Sequence, residues 1–124
     1  MDYDEARAYL LNLPEAVETF PFGPEAAVFK VRNKMFALLG VDKKRVRVNL
    51  KCDPDHANAL RDLFPAVKPG YHMNKKHWNT VELEGSVPAP EMEAMMDDSF
   101  WLVVAGMKKD DREALQTLYE VGRI

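Results

Sequence analysis

Residues 45–51, Arg-Val-Arg-Val-Asn-Leu-Lys, alternate strictly between polar and apolar side chains, and in an extended chain successive side chains point to opposite sides. The segment therefore directs Val46, Val48 and Leu50 into a core and offers Arg45, Arg47, Asn49 and Lys51 to the other sheet face. The same period of two starts at Ala26, with Ala27, Phe29 and Val31 on one side and Val28, Lys30 and Arg32 on the other. Arg32-Asn33-Lys34 reads as a turn into the apolar run Met35 to Val41, and Asp42-Lys43-Lys44 as a second turn. Connections this short require antiparallel hairpins.

Helical signals flank this sheet. Asp2 and Glu5 have capping-box spacing, Ala6, Leu10 and Leu13 share one helical face, and Pro14 ends the helix near residue 12. Phe20-Pro-Phe-Gly-Pro24 is too rich in proline and glycine for regular structure. Asp53-Pro54 opens a second helix with the stripe Ala57, Leu60 and Phe64, stopped by Pro65. Val67 to Tyr71 reads as a short extended piece, and Trp78 to Leu83 as a further strand. Beyond the Gly85-Ser86 turn, Met92, Met95 and Met96 line a helix that Asp98-Ser99 should break, capping a new helix from Phe100 to Ala105. Asp110 and Glu113 repeat the capping-box spacing ahead of Leu115, Leu118 and Tyr119. The expected fold is a two-layer α+β domain spanning residues 1–124, an antiparallel sheet with helices on one face. Its other face should show Lys30, Arg32, Arg45, Arg47 and Lys51.

Charge is segregated along the chain. From Lys30 to His77 there are twelve Lys and Arg against four acids, a net of +8 in a protein of net −3. Such asymmetry permits a local positive field, unless bases and acids interleave in space and cancel. The one cysteine, Cys52, makes no internal disulfide, the start is acidic rather than signal-like, and no apolar run is long enough to span a bilayer. The expected location is the cytoplasm, and the expected state a monomer away from membranes.

No GxGxxG, Walker, CxxC, HExxH or GxSxG motif occurs. Cys52 precedes a helix start, where the dipole lowers a thiol pKa, yet no base accompanies it. His72 and His77 are five apart with no convergent ligands fixed beside them, so neither a metal nor another cofactor is expected. Chemistry concentrates between His72 and Asn79, where Lys75 and Lys76 offer charge to anions, Asn74 donates and accepts, and Trp78 offers a stacking face. His72, Asn74, His77 and Trp78 are the candidates for a ligand pocket.

The string Val67-Lys-Pro-Gly-Tyr-His-Met-Asn-Lys-Lys-His-Trp-Asn-Thr-Val81 resembles the hallmark segment of the MmcQ/YjbR family of small bacterial proteins. Phe20 to Leu38, with its Pro-Phe-Gly-Pro and Phe-Lys-Val, and Asp98 to Leu115, with Asp-Ser-Phe before Leu-Val-Val, fit the same family. One departure is Met107-Lys108, where similar proteins often have Leu-Pro. The resemblance implies a CyaY-like α+β fold and DNA binding, the latter by analogy with double-wing DNA-binding domains. It supplies no catalytic residues, and the expectation leans away from an enzyme.

The leading expectation is thus a DNA-binding, regulatory protein. Lys30, Arg32, Arg45, Arg47, Lys51, Lys75 and Lys76 would contact phosphates, giving weak, salt-dependent binding. The alternative is a small-molecule or peptide binding domain that uses the segment His72–Trp78.

Overall fold

The computed structural model describes residues 1–122. Helix α1 (Tyr3–Leu11) leads into β1 (Val17–Thr19), β2 (Ala26–Val31), β3 (Lys34–Asp42) and β4 (Arg45–Lys51). Then follow α2 (Pro54–Leu63), β5 (Val67–Pro69), β6 (Trp78–Glu82), α3 (Ala89–Ala105) and α4 (Lys109–Gly122). The strands form one antiparallel sheet in the order β1-β2-β3-β4-β6-β5.

The hairpin period sets the register. Val48 lies between Leu39 and Val81, and Phe29 opposite Ala37, all fully buried on the face that α3 covers. Phe29, Phe36 and Phe100 meet there, the last two edge to face with ring centres 5.2 Å apart. Both hairpin turns are two-residue loops with positive φ throughout, Arg32-Asn33 (47° and 66°) and Lys43-Lys44 (51° and 67°). That twist matches the flanking strands, and only Asn33 is a residue at ease in this region.

Between Phe29 and Lys30 the β2–β3 register shifts, because β3 carries one extra residue, Phe36. The bulge lets Phe36 turn into the core, and it interrupts the ladder between β3 and β4. Ser99 fills the gap. Its hydroxyl donates to the carbonyl of Phe36 at 2.6 Å and accepts from the amide of Lys51 at 2.8 Å.

This bridge explains why Asp98-Ser99 does not break α3, which runs as one helix from Ala89 to Ala105. Ser99 is fully buried and its hydroxyl is committed to the sheet, so it caps nothing. Three further expectations change. Val17–Thr19 is an edge strand where no strand was read. Helix α4 begins at Lys109, which puts Asp110 inside its first turn rather than at a cap. Arg32 leaves the outer sheet face, because the left-handed turn carries its side chain to Glu15 (2.9 Å) and to Asp111 of α4 (2.5 Å). The remaining starts and stops follow their signals. Asp2 and Glu5 close a capping box on α1, and Asp53 caps α2 ahead of Pro54. None of the described helices is long and apolar enough to cross a membrane.

Candidate binding site on the outer sheet face

The face away from α3 is not a flat charged sheet. In the register, Leu38, Asn49 and Thr80 stand side by side across β3, β4 and β6, as do Gly40, Arg47 and Glu82. The Phe20–Pro24 loop rises on one side and the turn after β5 on the other. Between them lies a cavity of about 340 Å³, floored by Leu38 and Gly40 and walled by Phe22 and Tyr71. That volume is at the small end of ligand pockets.

Tyr71 is held there by its backbone. Thr80 Oγ1 accepts from the Tyr71 amide at 2.8 Å and donates to Asn49 Oδ1 at 2.6 Å, while Asn49 Nδ2 donates to the Tyr71 carbonyl at 3.3 Å. Asn49 and Thr80 are buried polar groups on a sheet face, and this mutual satisfaction offsets their desolvation. Phe22 enters through a loop whose Gly23 has φ of +108°, and its ring is 75% exposed, among the most exposed large apolar side chains described.

Arg47 is the charged group inside the walls. Its side chain is only a quarter exposed, and its guanidinium sits 5.6 Å from the centre of the Tyr71 ring, within cation–π range. Its ion-pair partner among the described residues, Asp42, is at 3.5 Å, too long for a good charge-assisted hydrogen bond. Arg47 Nε is buried with no hydrogen-bond partner among the described residues. A guanidinium carries five N–H donors in a rigid fork, so this one retains unused donors beside a cavity.

The hallmark segment folds as a tight turn between β5 and β6. His72, in a left-handed conformation (φ 59°), rests its ring 4.1 Å from that of Tyr71. Asn74 shapes the turn by accepting from the amides of Lys76 and His77, at 3.0 and 3.2 Å. Lys75 Nζ donates to the Gly70 carbonyl, and the His77 carbonyl accepts from the Cys52 amide. Trp78 is half-buried beside Gly70, where an added Cβ would come within 2.8 Å of Trp78 Cβ, so no larger residue fits. Arg61 of α2 staples the whole turn, donating to Asn79 Oδ1 at 2.7 Å and to the carbonyls of Lys75 and Trp78. His72, Asn74, His77 and Trp78 do not line the cavity; they build the turn that holds Tyr71 over it.

The predicted phosphate contacts divide. Arg45 lies 3.9 Å from Glu82, Arg47 belongs to the cavity, and Arg32 is paired with two acids. Lys30, Lys51 and Lys76 form no ion pair among the described residues. Part of the positive middle is therefore met by acids folded back from the flanks.

On the helix side, Cys52, His56 and Asp98 border a shallow depression, with His56 Nδ1 3.9 Å from Asp98. Burial, reinforced by Asp98 and Asp53, pushes the Cys52 thiol up to about 11. This runs opposite to the lowering that a helix start suggests and favours the protonated thiol at neutral pH.

Fold and site together define a small α+β domain with helices on one sheet face and an arginine-centred pocket on the other. The YjbR family model matches residues 11–102, and the chain belongs to that family. It is 36% identical over 114 residues to YbdF of Escherichia coli O157:H7, covering 92% of this chain and 93% of that one. It is 31% identical to YjbR of Escherichia coli K12 over 118 residues, 95% of this chain and 100% of that one. Both relatives are described as uncharacterised. Among solved structures, Deinococcus radiodurans DR2400 superposes with a TM-score of 0.83 at 40% identity, covering 91% of this chain and 86% of that one. A Pseudomonas syringae protein gives 0.74 at 31% identity, covering 83% and 99%.

Proposed function

We propose that this protein is a binding domain for a small molecule with an apolar body and an acceptor group, held over Arg47 on the outer sheet face. The observation that carries the reading is Arg47: three-quarters buried, loosely paired and with Nε unpartnered among the described residues. Burying polar donors without acceptors costs free energy, and a carboxylate or phosphate matches the guanidinium fork. Leu38, Gly40 and Phe22 then offer the apolar contact that most small-ligand sites use.

Gly40 supplies the test. Its Cβ would project to the cavity side and meet only the Glu25 carbonyl at 3.6 Å, an ordinary contact, with no positive φ to forbid a side chain. Gly40→Val should fold and fill the floor. Benzoate and inorganic phosphate titrated against the ¹⁵N-labelled protein should move the amides around Arg47, Tyr71 and Thr80. Gly40→Val and Arg47→Gln should each abolish those shifts. Shifts that survive both substitutions would place binding elsewhere and overturn the reading.

A second reading, DNA binding on a CyaY-like cytoplasmic fold, draws support from the exposed tip of the β3–β4 hairpin, Lys43-Lys44-Arg45. With Lys30, Lys51 and Lys76 it would give phosphate contacts of a wing type. Affinity for duplex DNA should then fall with salt, log K dropping by about 0.9 per log salt for each phosphate neutralised. Lys43→Gln with Lys44→Gln should flatten that slope, while Gly40→Val should leave it unchanged. Absence of binding even at low salt, where screening is least, removes this reading.

A further inference from the structure

The charges around the cavity do not match a simple anion. Arg47 brings a positive charge and Asp42 a negative one beside it, so the charged part of the lining is a pair of opposite sign. A ligand carrying only a carboxylate gains the Arg47 fork but must approach the Asp42 carboxylate and compete with it for the guanidinium. A ligand carrying only an ammonium gains Asp42 and leaves the Arg47 guanidinium with no acceptor from the ligand. One chemistry satisfies both groups. The Arg47 and Asp42 termini lie 3.5 Å apart, and an α-amino acid presents the complementary pair, carboxylate and ammonium, on neighbouring atoms. Its side chain would lie on Leu38 and Gly40 beneath Phe22, in a volume of about 340 Å³ that suits one residue rather than a peptide.

Resting on the proposed pocket, we infer that the outer-face site takes a free, zwitterionic amino acid with a large apolar or aromatic side chain. The carboxylate sits on the Arg47 fork, and the ammonium lies against Asp42. Asp42 has two roles in this arrangement: it binds the ammonium when ligand is present, and it partly neutralises Arg47 when ligand is absent. Its side chain is 63% exposed, so it is free to turn from one to the other.

Asp42 also gives the experiment its resolving power. Three probes are titrated by NMR or calorimetry: L-phenylalanine, 3-phenylpropionate, which lacks the ammonium, and L-phenylalaninamide, which lacks the carboxylate and represents a peptide amino terminus. In the wild-type protein L-phenylalanine should bind about tenfold or more tighter than either partial probe, the usual effect of one charge-assisted hydrogen bond. Asp42→Asn should weaken L-phenylalanine yet strengthen 3-phenylpropionate, because it removes the ammonium's partner and frees Arg47. Arg47→Gln should weaken L-phenylalanine to the level of the amide and leave the amide itself little changed.

Three results would overturn the inference: 3-phenylpropionate binding as well as L-phenylalanine, Asp42→Asn moving both probes in the same direction, or phenylalaninamide binding best. None of these touches the underlying pocket reading if benzoate or phosphate still engages Arg47. No binding by any of the three probes also overturns the zwitterion assignment, and the benzoate and phosphate titration then decides the pocket separately.

Discussion

Arg61 holds the turn between β5 and β6 through several hydrogen bonds, and the cost of its removal follows from the structure. Its Nε donates at 2.7 Å to Asn79 Oδ1, and Asn79 is only 2% exposed. Loss of a charge-assisted bond to a buried acceptor costs about 2 kcal/mol. Two further bonds go to the carbonyls of Lys75 and Trp78 at the turn's edge, where water replaces part of what is lost, so they add roughly 0.5 kcal/mol each. Arg61→Ala should therefore destabilise by about 3 kcal/mol, or roughly 10–15 °C in Tm for a chain of this size. Arg61→Lys should recover little, since an ammonium cannot span the four acceptors that the planar fork reaches, Asn58 Oδ1 among them. Urea unfolding with a fixed m-value measures the loss, and the amides of Tyr71 and Thr80 report whether the pocket wall moves with it. A loss below about 1 kcal/mol for Arg61→Ala, with the Tyr71 amide unshifted, would refute the claim that Arg61 holds the turn.

Val48→Asp should unfold the domain or cost several kcal/mol by chemical denaturation, because Val48 is fully buried between Leu39 and Val81. Cys52 should alkylate slowly at pH 7 and speed up only as pH climbs towards about 11. The same raised pKa means that its protonated form is favoured in the fold, so this contribution is complete below the ordinary thiol pKa and is lost as pH rises through about 11, which alkaline unfolding at graded pH checks. Gly40→Val should leave Tm unchanged or slightly higher, since a β-branched residue suits a strand better than glycine does, while it removes ligand shifts.

The sheet was legible because two faces in different surroundings impose a period of two, and Arg45 to Lys51 obey it. The turns were legible from length alone, although nothing in Lys43-Lys44 announces positive φ at both positions. The Asp98-Ser99 break was misread because a serine's hydroxyl favours caps locally, and only the distant bulge at Phe36 gives it a better partner. The site was half legible. Arg47 stood out as a sheet-face base, but Asn49, Thr80 and Tyr71 look ordinary until the β4–β6 register makes them neighbours. The hallmark cluster drew attention by its density of polar groups, of which the Asn74 and Lys75 side chains bond within their own turn and Asn79 bonds to Arg61. Acids from Glu15 and Asp111, outside the basic segment, met Arg32 through tertiary contacts that no local count contains.

The serine bridge has a consequence for how the two layers come together. Between Phe36 and Lys51 the strands lack a direct bond, and the missing rung arrives from a helix some fifty to sixty residues away in sequence. A sheet formed without α3 would leave that carbonyl and that amide to solvent at the place where the core must close. Sheet and helix should accordingly gain protection together rather than in turn. The Lys51 amide, a β4 group whose acceptor lies on α3, should then exchange with solvent only when the two layers separate, which makes one backbone proton a gauge of the whole domain's cooperativity.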